Sequence, residues 1–133
     1  MTGTDHPSLT RMREGYDAFG KGDLATLTEL MHEDVRWHEP GDGPLSGTYE
    51  GPQAVFGMFA RLMELTESSF RAEPVLVCAD DEHGMALVRF TAHRGDRHLD
   101  TLVAQVARFD GDGRVAEFWN APTDQPVMDR FLG

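Results

Sequence analysis

The sequence predicts an α+β domain, with three N-terminal helices packed on an antiparallel sheet. Apolar residues recur at helical spacing in three stretches before residue 66, whereas β-rich runs separated by Asp/Gly turns fill Phe70 to Asn120. The longest run, Arg97 to Phe109, adds a third observation. Leu99, Thr101, Val103, Gln105, Ala107 and Phe109 share one of its faces, and Leu102, Ala104 and Val106 make the other apolar too. Three helices cover only one side of such a sheet, so the second apolar side predicts a partner subunit, most simply a two-fold homodimer.

Met1 to Pro7 lacks periodicity and apolar content and is expected to be a disordered tail before a single domain spanning residues 8–133. Ser8 offers an N-cap, after which Leu9, Met12, Tyr16 and Phe19 mark one face of a first helix that Gly20 and Gly22 end. Asp23 can cap a second helix with Leu24, Leu27, Leu30 and Met31 inward. A short strand, Val35 to Glu39, stops at Pro40, and a Gly/Pro loop runs to Gly51. Pro52 opens the third helix, which carries Val55, Phe56, Phe59, Leu62 and Met63 and loses its order near Thr66 to Ser69. Phe70 to Ala79 is the first long strand, and Pro74 within it requires an edge position or a bulge. Met85 to Arg94, Arg97 to Phe109 and Arg114 to Asn120 complete a meander through tight turns. Asp124 is placed to cap a final helical tail, Pro126 to Leu132.

Composition narrows the function. Asp and Glu number 23 against 12 Lys and Arg, a formal charge of -11, which repels phosphate backbones and disfavours nucleic acid and anionic substrates. The longest wholly apolar run, Val75 to Ala79, is far too short to span a bilayer, so no membrane partner is expected and the protein is read as cytoplasmic. The single cysteine, Cys78, is expected to be a small core residue. The histidines form no His-x-His, His-Glu-x-x-His or Cys/His cluster, and no phosphate loop or nucleophile elbow is present. Neither a metal nor another cofactor is expected.

Val35 to Gly51 is the stretch most suggestive of chemistry. Alternation puts Val35, Trp37 and Glu39 on one side of the strand and Arg36 and His38 on the other, so a carboxylate ends the apolar side under a Gly/Pro loop. That is a workable place for a general base at a pocket mouth; the plainer alternative is a surface glutamate at a strand terminus. His38 is a second candidate base because its reference pKa lies near neutrality, although the alternation points it away from Glu39. Trp119 and Asn120 fall on opposite faces of the last strand, so only one can line a pocket, Trp119 as a wall or Asn120 as a polar handle. His98 and Asp100 read as surface or interface residues.

The order helix, helix, short strand, WHEPGDGPLSGTYEG, helix and meander, with RFDGDGRVAEFW near its end, resembles the NTF2-like superfamily, and more narrowly its SnoaL-like and ketosteroid-isomerase-related members. The likeness covers roughly Met12 to Leu132. It implies a cone-shaped roll, a curved sheet folded around a helix-lined apolar cavity, usually dimeric. Glu39 falls where ketosteroid isomerases keep an aspartate base just before a proline. Tyr16 lies about one position from their enolate-binding tyrosine, and Gln105 replaces the protonated aspartate that donates to the oxyanion. Tyr16, Phe19, Trp37, Glu39, Phe56, Phe59, Val103 and Gln105 are the expected cavity lining. Two function classes remain open. One is a cofactor-free isomerase, cyclase or hydrolase acting on a small apolar carbonyl- or epoxide-bearing molecule through Glu39. The other is a module that binds such a molecule unchanged.

Overall fold

The computed structural model describes residues 6–133. Its elements are α1 (Pro7–Lys21), α2 (Leu24–Leu30), β1 (Met31–Glu39), β2 (Gly47–Glu50), α3 (Pro52–Leu65), β3 (Arg71–Ala79), β4 (His83–Arg94), β5 (Arg97–Phe109), β6 (Val115–Pro122) and α4 (Gln125–Leu132). One six-stranded sheet runs in the order β2-β1-β6-β5-β4-β3. Every pairing is antiparallel except β1 with β6, so the N-terminal hairpin joins the meander through one parallel seam.

Several boundaries differ from the sequence expectation. Most of the predicted tail lies outside the described residues, but His6 and Pro7 are structured. The His6 Nδ1 accepts the Ser8 N–H at 3.1 Å and Pro7 occupies the first turn, so α1 begins before Ser8, which is buried rather than capping. Met31 belongs to β1, not α2; it sits at 4% exposure in a second core cluster with Ala18, Leu27, Val35 and Val55. Part of the predicted Gly/Pro loop is strand β2, whose Tyr49 pairs with Trp37 and Gly47 with Glu39. The glycines and proline around so short a strand hid its alternation. Asp23 and Asp124 cap α2 and α4 as their positions suggested, with side chains accepting from Thr26 N and Val127 N. Cys78 is exposed, because its strand β3 is the sheet edge.

The main core lies between the concave sheet face and the helices. Val88, Val103 and Ala107 are fully buried there, with Phe70, Phe90, Phe109 and Phe118 around them. The register shifts between Pro74 and Leu76 in β3, at Arg108/Phe109 where β5 meets β6, and between Met31 and Arg36 in β1. Such irregularities bend the paired strands and give the sheet its curl. On the convex face Leu76 pairs with Leu87, Leu87 with Ala104, Met85 with Val106 and Val106 with Trp119. Leu76 is 62% exposed and Met85 49%, so an apolar strip lies open on that side. No helix among the described residues is long and apolar enough to cross a membrane.

Helix α4 closes one end of the roll, held at both ends. Asp124 caps its start, and Arg94 Nη1 donates to the carbonyl oxygens of Phe131, Leu132 and Gly133 at 2.9, 2.8 and 2.9 Å. These are orphan carbonyls of the last turn, and a cation there also complements the helix dipole. Arg94→Ala is therefore expected to lower unfolding free energy by about 1–3 kcal/mol, the range for hydrogen bonds to a charged group. Urea denaturation followed by far-ultraviolet circular dichroism measures this; an unchanged midpoint would show that the clamp contributes nothing.

Candidate functional site

A cavity of about 150 Å³ lies between the sheet and the helices. Its walls are mostly apolar, from Phe19, Met58, Phe59, Leu62, Phe70, Phe90 and Phe118 among others. The volume matches that of a dry cavity able to hold a benzene-sized guest. Trp37 stacks on Phe118 with centroids 3.8 Å apart and meets Phe59 edge-on at 5.4 Å, so the indole is held on two sides.

The polar groups of the cavity form one directed string. Tyr16 OH donates to Gln105 Oε1 at 2.6 Å, and Gln105 Nε2 donates to Asn120 Oδ1 at 2.7 Å. Asn120 Nδ2 then donates to Glu39 Oε1 at 3.1 Å. Trp37 Nε1 donates to the same oxygen at 2.8 Å. Two strand registers make this possible: Gln105 sits opposite Asn120 across the β5–β6 ladder, and Trp37 and Glu39 are two apart on one face of β1. Both donors fall on Oε1, and among the described residues Oε2 accepts no hydrogen bond.

Burial dominates the electrostatics. Withdrawal from water raises the Glu39 carboxyl from its ordinary 4.5 to about 7, against a smaller opposing effect of the Trp37 hydrogen bond. The Tyr16 hydroxyl is likewise pushed up by burial, so it stays protonated and remains a donor. Tyr49 is raised by burial and then by the neighbouring Glu39 charge, and its hydroxyl donates to the Leu45 carbonyl at 2.8 Å. The result is a carboxyl near its half-ionised point at neutral pH, surrounded by neutral donors.

Of the residues singled out in sequence, Tyr16, Phe19, Trp37, Glu39, Phe59, Gln105 and Asn120 line this one cavity. His38, Phe56, Val103 and Trp119 do not. His38 lies on the convex side, as strand alternation requires, where Nε2 meets Glu117 Oε2 at 2.6 Å, Nδ1 meets Thr48 Oγ1 at 2.9 Å and the ring stacks on Trp119. It cannot share a proton with Glu39. Trp119 shares that face, which leaves Asn120 as the pocket residue of the pair. Val103 is fully buried in the core, and Phe56 packs with Phe59 in the second cluster. Asp100 forms a bidentate exposed pair with Arg89 at 2.8 and 2.6 Å.

The structure also adds lining residues that the sequence did not suggest: Arg11 on α1, Gly43 and Leu45 in the loop, and Gln125, Met128 and Asp129 on α4. Gly41, at φ +90°, must lack a side chain because a Cβ there would overlap Gln125 and Asp129. Close approach of loop and helix was the only sequence signal available, in the density of glycine between Gly41 and Gly47. Among the described residues no group of three or more His, Cys, Asp or Glu is arranged to hold a metal ion.

Residues 12–118 match the SnoaL-like domain family. A curated relative, the uncharacterised protein Rv0034 of Mycobacterium tuberculosis, is 29% identical over 123 residues, covering 90% of this chain and 93% of its own. Among solved structures, Bal32a from a soil-derived mobile gene cassette is 34% identical with a TM-score of 0.91, over 96% of this chain and 97% of that one. An NTF2-like protein of unknown function from Burkholderia pseudomallei shares the fold at 24% identity and a TM-score of 0.82, over 96% and 98% of the two chains. With the roll, the cavity and a family match over residues 12–118, the chain belongs to the SnoaL-like domain family and has an NTF2-like fold.

Proposed function

We infer that this protein catalyses proton transfer on a small apolar molecule bound in the cavity, with Glu39 as the general base. The observation that carries this reading is the state of the Glu39 carboxyl. It is walled by aromatic rings, fixed through Oε1 by Trp37 and Asn120, and brought by burial to about 7, where a base is most effective at neutral pH. Oε2, which has no protein partner, is the atom to take a proton. From a carbon next to a carbonyl, that transfer leaves an enolate and a protonated Glu39, which returns the proton at another carbon in an isomerisation. From water beside an epoxide, it leaves a hydroxide that opens the ring. The string from Tyr16 through Gln105 and Asn120 holds the base in place, and the second amide N–H of Gln105 can donate to the developing oxyanion.

One observation favours the second reading, a binding module. Tyr16, Gln105 and Asn120 direct these hydrogen bonds to one another and to Glu39 rather than to a substrate. A carrier would need only the apolar walls and this polar end. Turnover separates the two readings.

The open convex strip supports a further part of this reading, a homodimer in which a second copy covers Leu76, Met85, Leu87, Val106 and Trp119. Leu87→Glu in the middle of that strip is expected to give a monomer by light scattering at micromolar concentration with an unchanged circular dichroism spectrum. A wild-type protein that is already monomeric would remove the dimer.

Glu39→Gln keeps the size and hydrogen-bonding capacity of the side chain but cannot accept a proton near neutral pH. Turnover of any accepted carbonyl or epoxide substrate is expected to fall about 10²- to 10⁴-fold with ligand affinity preserved. In the wild type, kcat/KM should rise with pH and level off above an inflection near 7, as Glu39 ionises. Wild-type rates in the variant would show that Glu39 is not the base, whereas a wild-type protein that turns over no such substrate would leave only the binding module.

Stability offers a substrate-free check with a definite sign. The folded-state pKa of Glu39 lies above its unfolded value, so its contribution is fully present below about 4.5 and is lost as pH rises through about 7. At about 1.4 kcal/mol per pH unit the full effect is about 3 kcal/mol. Chemical denaturation at pH 5 and pH 8 should show wild type losing stability relative to Glu39→Gln by about that amount, since the amide removes the cost of burying a charge. Parallel pH profiles for the two proteins would show that the carboxyl is not buried in solution.

A further inference from the structure

Arg11 is the only cationic side chain among the described residues that line the cavity. It is half-buried, and among the described residues its side chain has no hydrogen-bond or ion-pair partner. Five other arginines are engaged: Arg94 and Arg97 on the end of α4, Arg89 on Asp100, Arg36 and Arg108 on Glu117. A guanidinium with five donors and no acceptor, set in a largely apolar wall, is costly unless something supplies the acceptor.

The site is shaped to hold it. Arg11 packs on Gly113 of the β5–β6 turn, where φ is +78° and a Cβ would overlap the guanidinium. Gly15, one turn further along α1, also lines the cavity and leaves room beside the arginine. Arg11 therefore marks the end of the cavity near Phe109, whereas Tyr16 and Gln105 mark the end near Glu39. Gln105 and Phe109 are four residue steps apart on β5, roughly 13 Å at the rise of a β-strand. Base and cation thus stand at opposite ends of an apolar slot.

We propose that Arg11 is a specificity residue that binds a carboxylate, so that the cavity takes a small apolar acid with its carboxylate at Arg11 and its uncharged end toward Glu39. One planar guanidinium matches one carboxylate in a two-point contact. A phosphate dianion would need further donors, and the cavity has no second cation. The formal charge of -11 does not oppose this. Surface charges are screened beyond about 8 Å at physiological salt, whereas an unpaired cation in an apolar wall acts at contact and with little screening. Local charge at the slot overrides the general expectation that so acidic a protein avoids anions. The proposal rests on the catalytic reading for its orientation toward Glu39, but its test does not.

The test compares phenylacetic acid with phenylacetamide, equal in shape, different in charge and matched to a cavity of about 150 Å³, by calorimetric titration of the full chain at pH 7.5 and physiological salt. Wild type is expected to prefer the acid by about tenfold or more, as one charge-assisted contact warrants. Arg11→Gln should abolish the preference by weakening acid binding while amide affinity stays within about twofold. Arg11→Lys keeps the charge without the fork and should retain a reduced preference. Thermal unfolding of each variant checks folding, and the wild-type comparison stands even if one variant fails to fold. Equal affinity of wild type for acid and amide, absence of acid binding at millimolar concentration, or a full preference in Arg11→Gln would each overturn the proposal. If Arg11 sets the preference while the wild-type protein turns over no carbonyl or epoxide substrate, the cavity is an acid-binding module. If Glu39→Gln is inactive and wild type shows no acid preference, the enzyme acts on neutral substrates.

Discussion

Burial of one carboxyl organises the chemistry of this molecule. A glutamate enclosed by aromatic rings loses hydration that a protein must replace, and here two donors replace it on one oxygen only. The carboxyl therefore keeps a high affinity for its proton without being locked in the protonated form. Everything nearby serves that balance. The indole of Trp37 gives a wall and a donor together, and its stacking on Phe118 fixes the direction of its N–H. Asn120 is oriented in turn by Gln105, and Gln105 by Tyr16. A string of neutral groups stabilises the carboxylate without supplying a positive charge, which would drop its pKa far below neutrality.

The fold supplies this arrangement through register rather than through any single loop. Three of the four hydrogen-bonded partners stand on adjacent strands of one curved sheet, and only Tyr16 reaches in from a helix. Strand ladders hold cross-strand neighbours in defined places, so the string is positioned by backbone pairing that the core already stabilises. The parallel seam between β1 and β6 has a specific consequence: it brings the strand carrying Glu39 beside the strand carrying Asn120. The same alternation that points Glu39 inward sends His38 outward, into a separate cluster with Glu117, Thr48 and Trp119.

Much was legible in order along the chain. Helical periodicity placed α1, α2 and α3, turn residues separated β3 to β6, Asp23 and Asp124 announced their helices, and Pro74 announced an edge strand with a bulge. The motif resemblance reached further, to the roll itself and to Glu39, Gln105 and Tyr16 as neighbours. The errors share one cause. His38, Val103, Phe56 and Trp119 stand close to the site in sequence or in family pattern, whereas lining a cavity depends on where the helices leave space above the sheet. Strand β2 and the entry of α4 into the cavity wall escaped for the same reason, being short and set among glycine and proline.

The sequence alone determined what can be stated residue by residue: element type, the inward face of each strand and the acidic charge balance, because periodicity and charge are local properties. Tertiary structure decided the partners. Asn120 meets Glu39 across 81 residues of chain and Gln105 meets Tyr16 across 89, and no local pattern encodes such pairings. It also decided that Arg11 stands in the cavity wall without a counter-ion among the described residues, since freedom from partners is a property of everything folded around a side chain. The chemical nature of each group was written in its residue type, but its proton affinity and its neighbours depend on desolvation and geometry that exist only once the sheet has curled around the cavity.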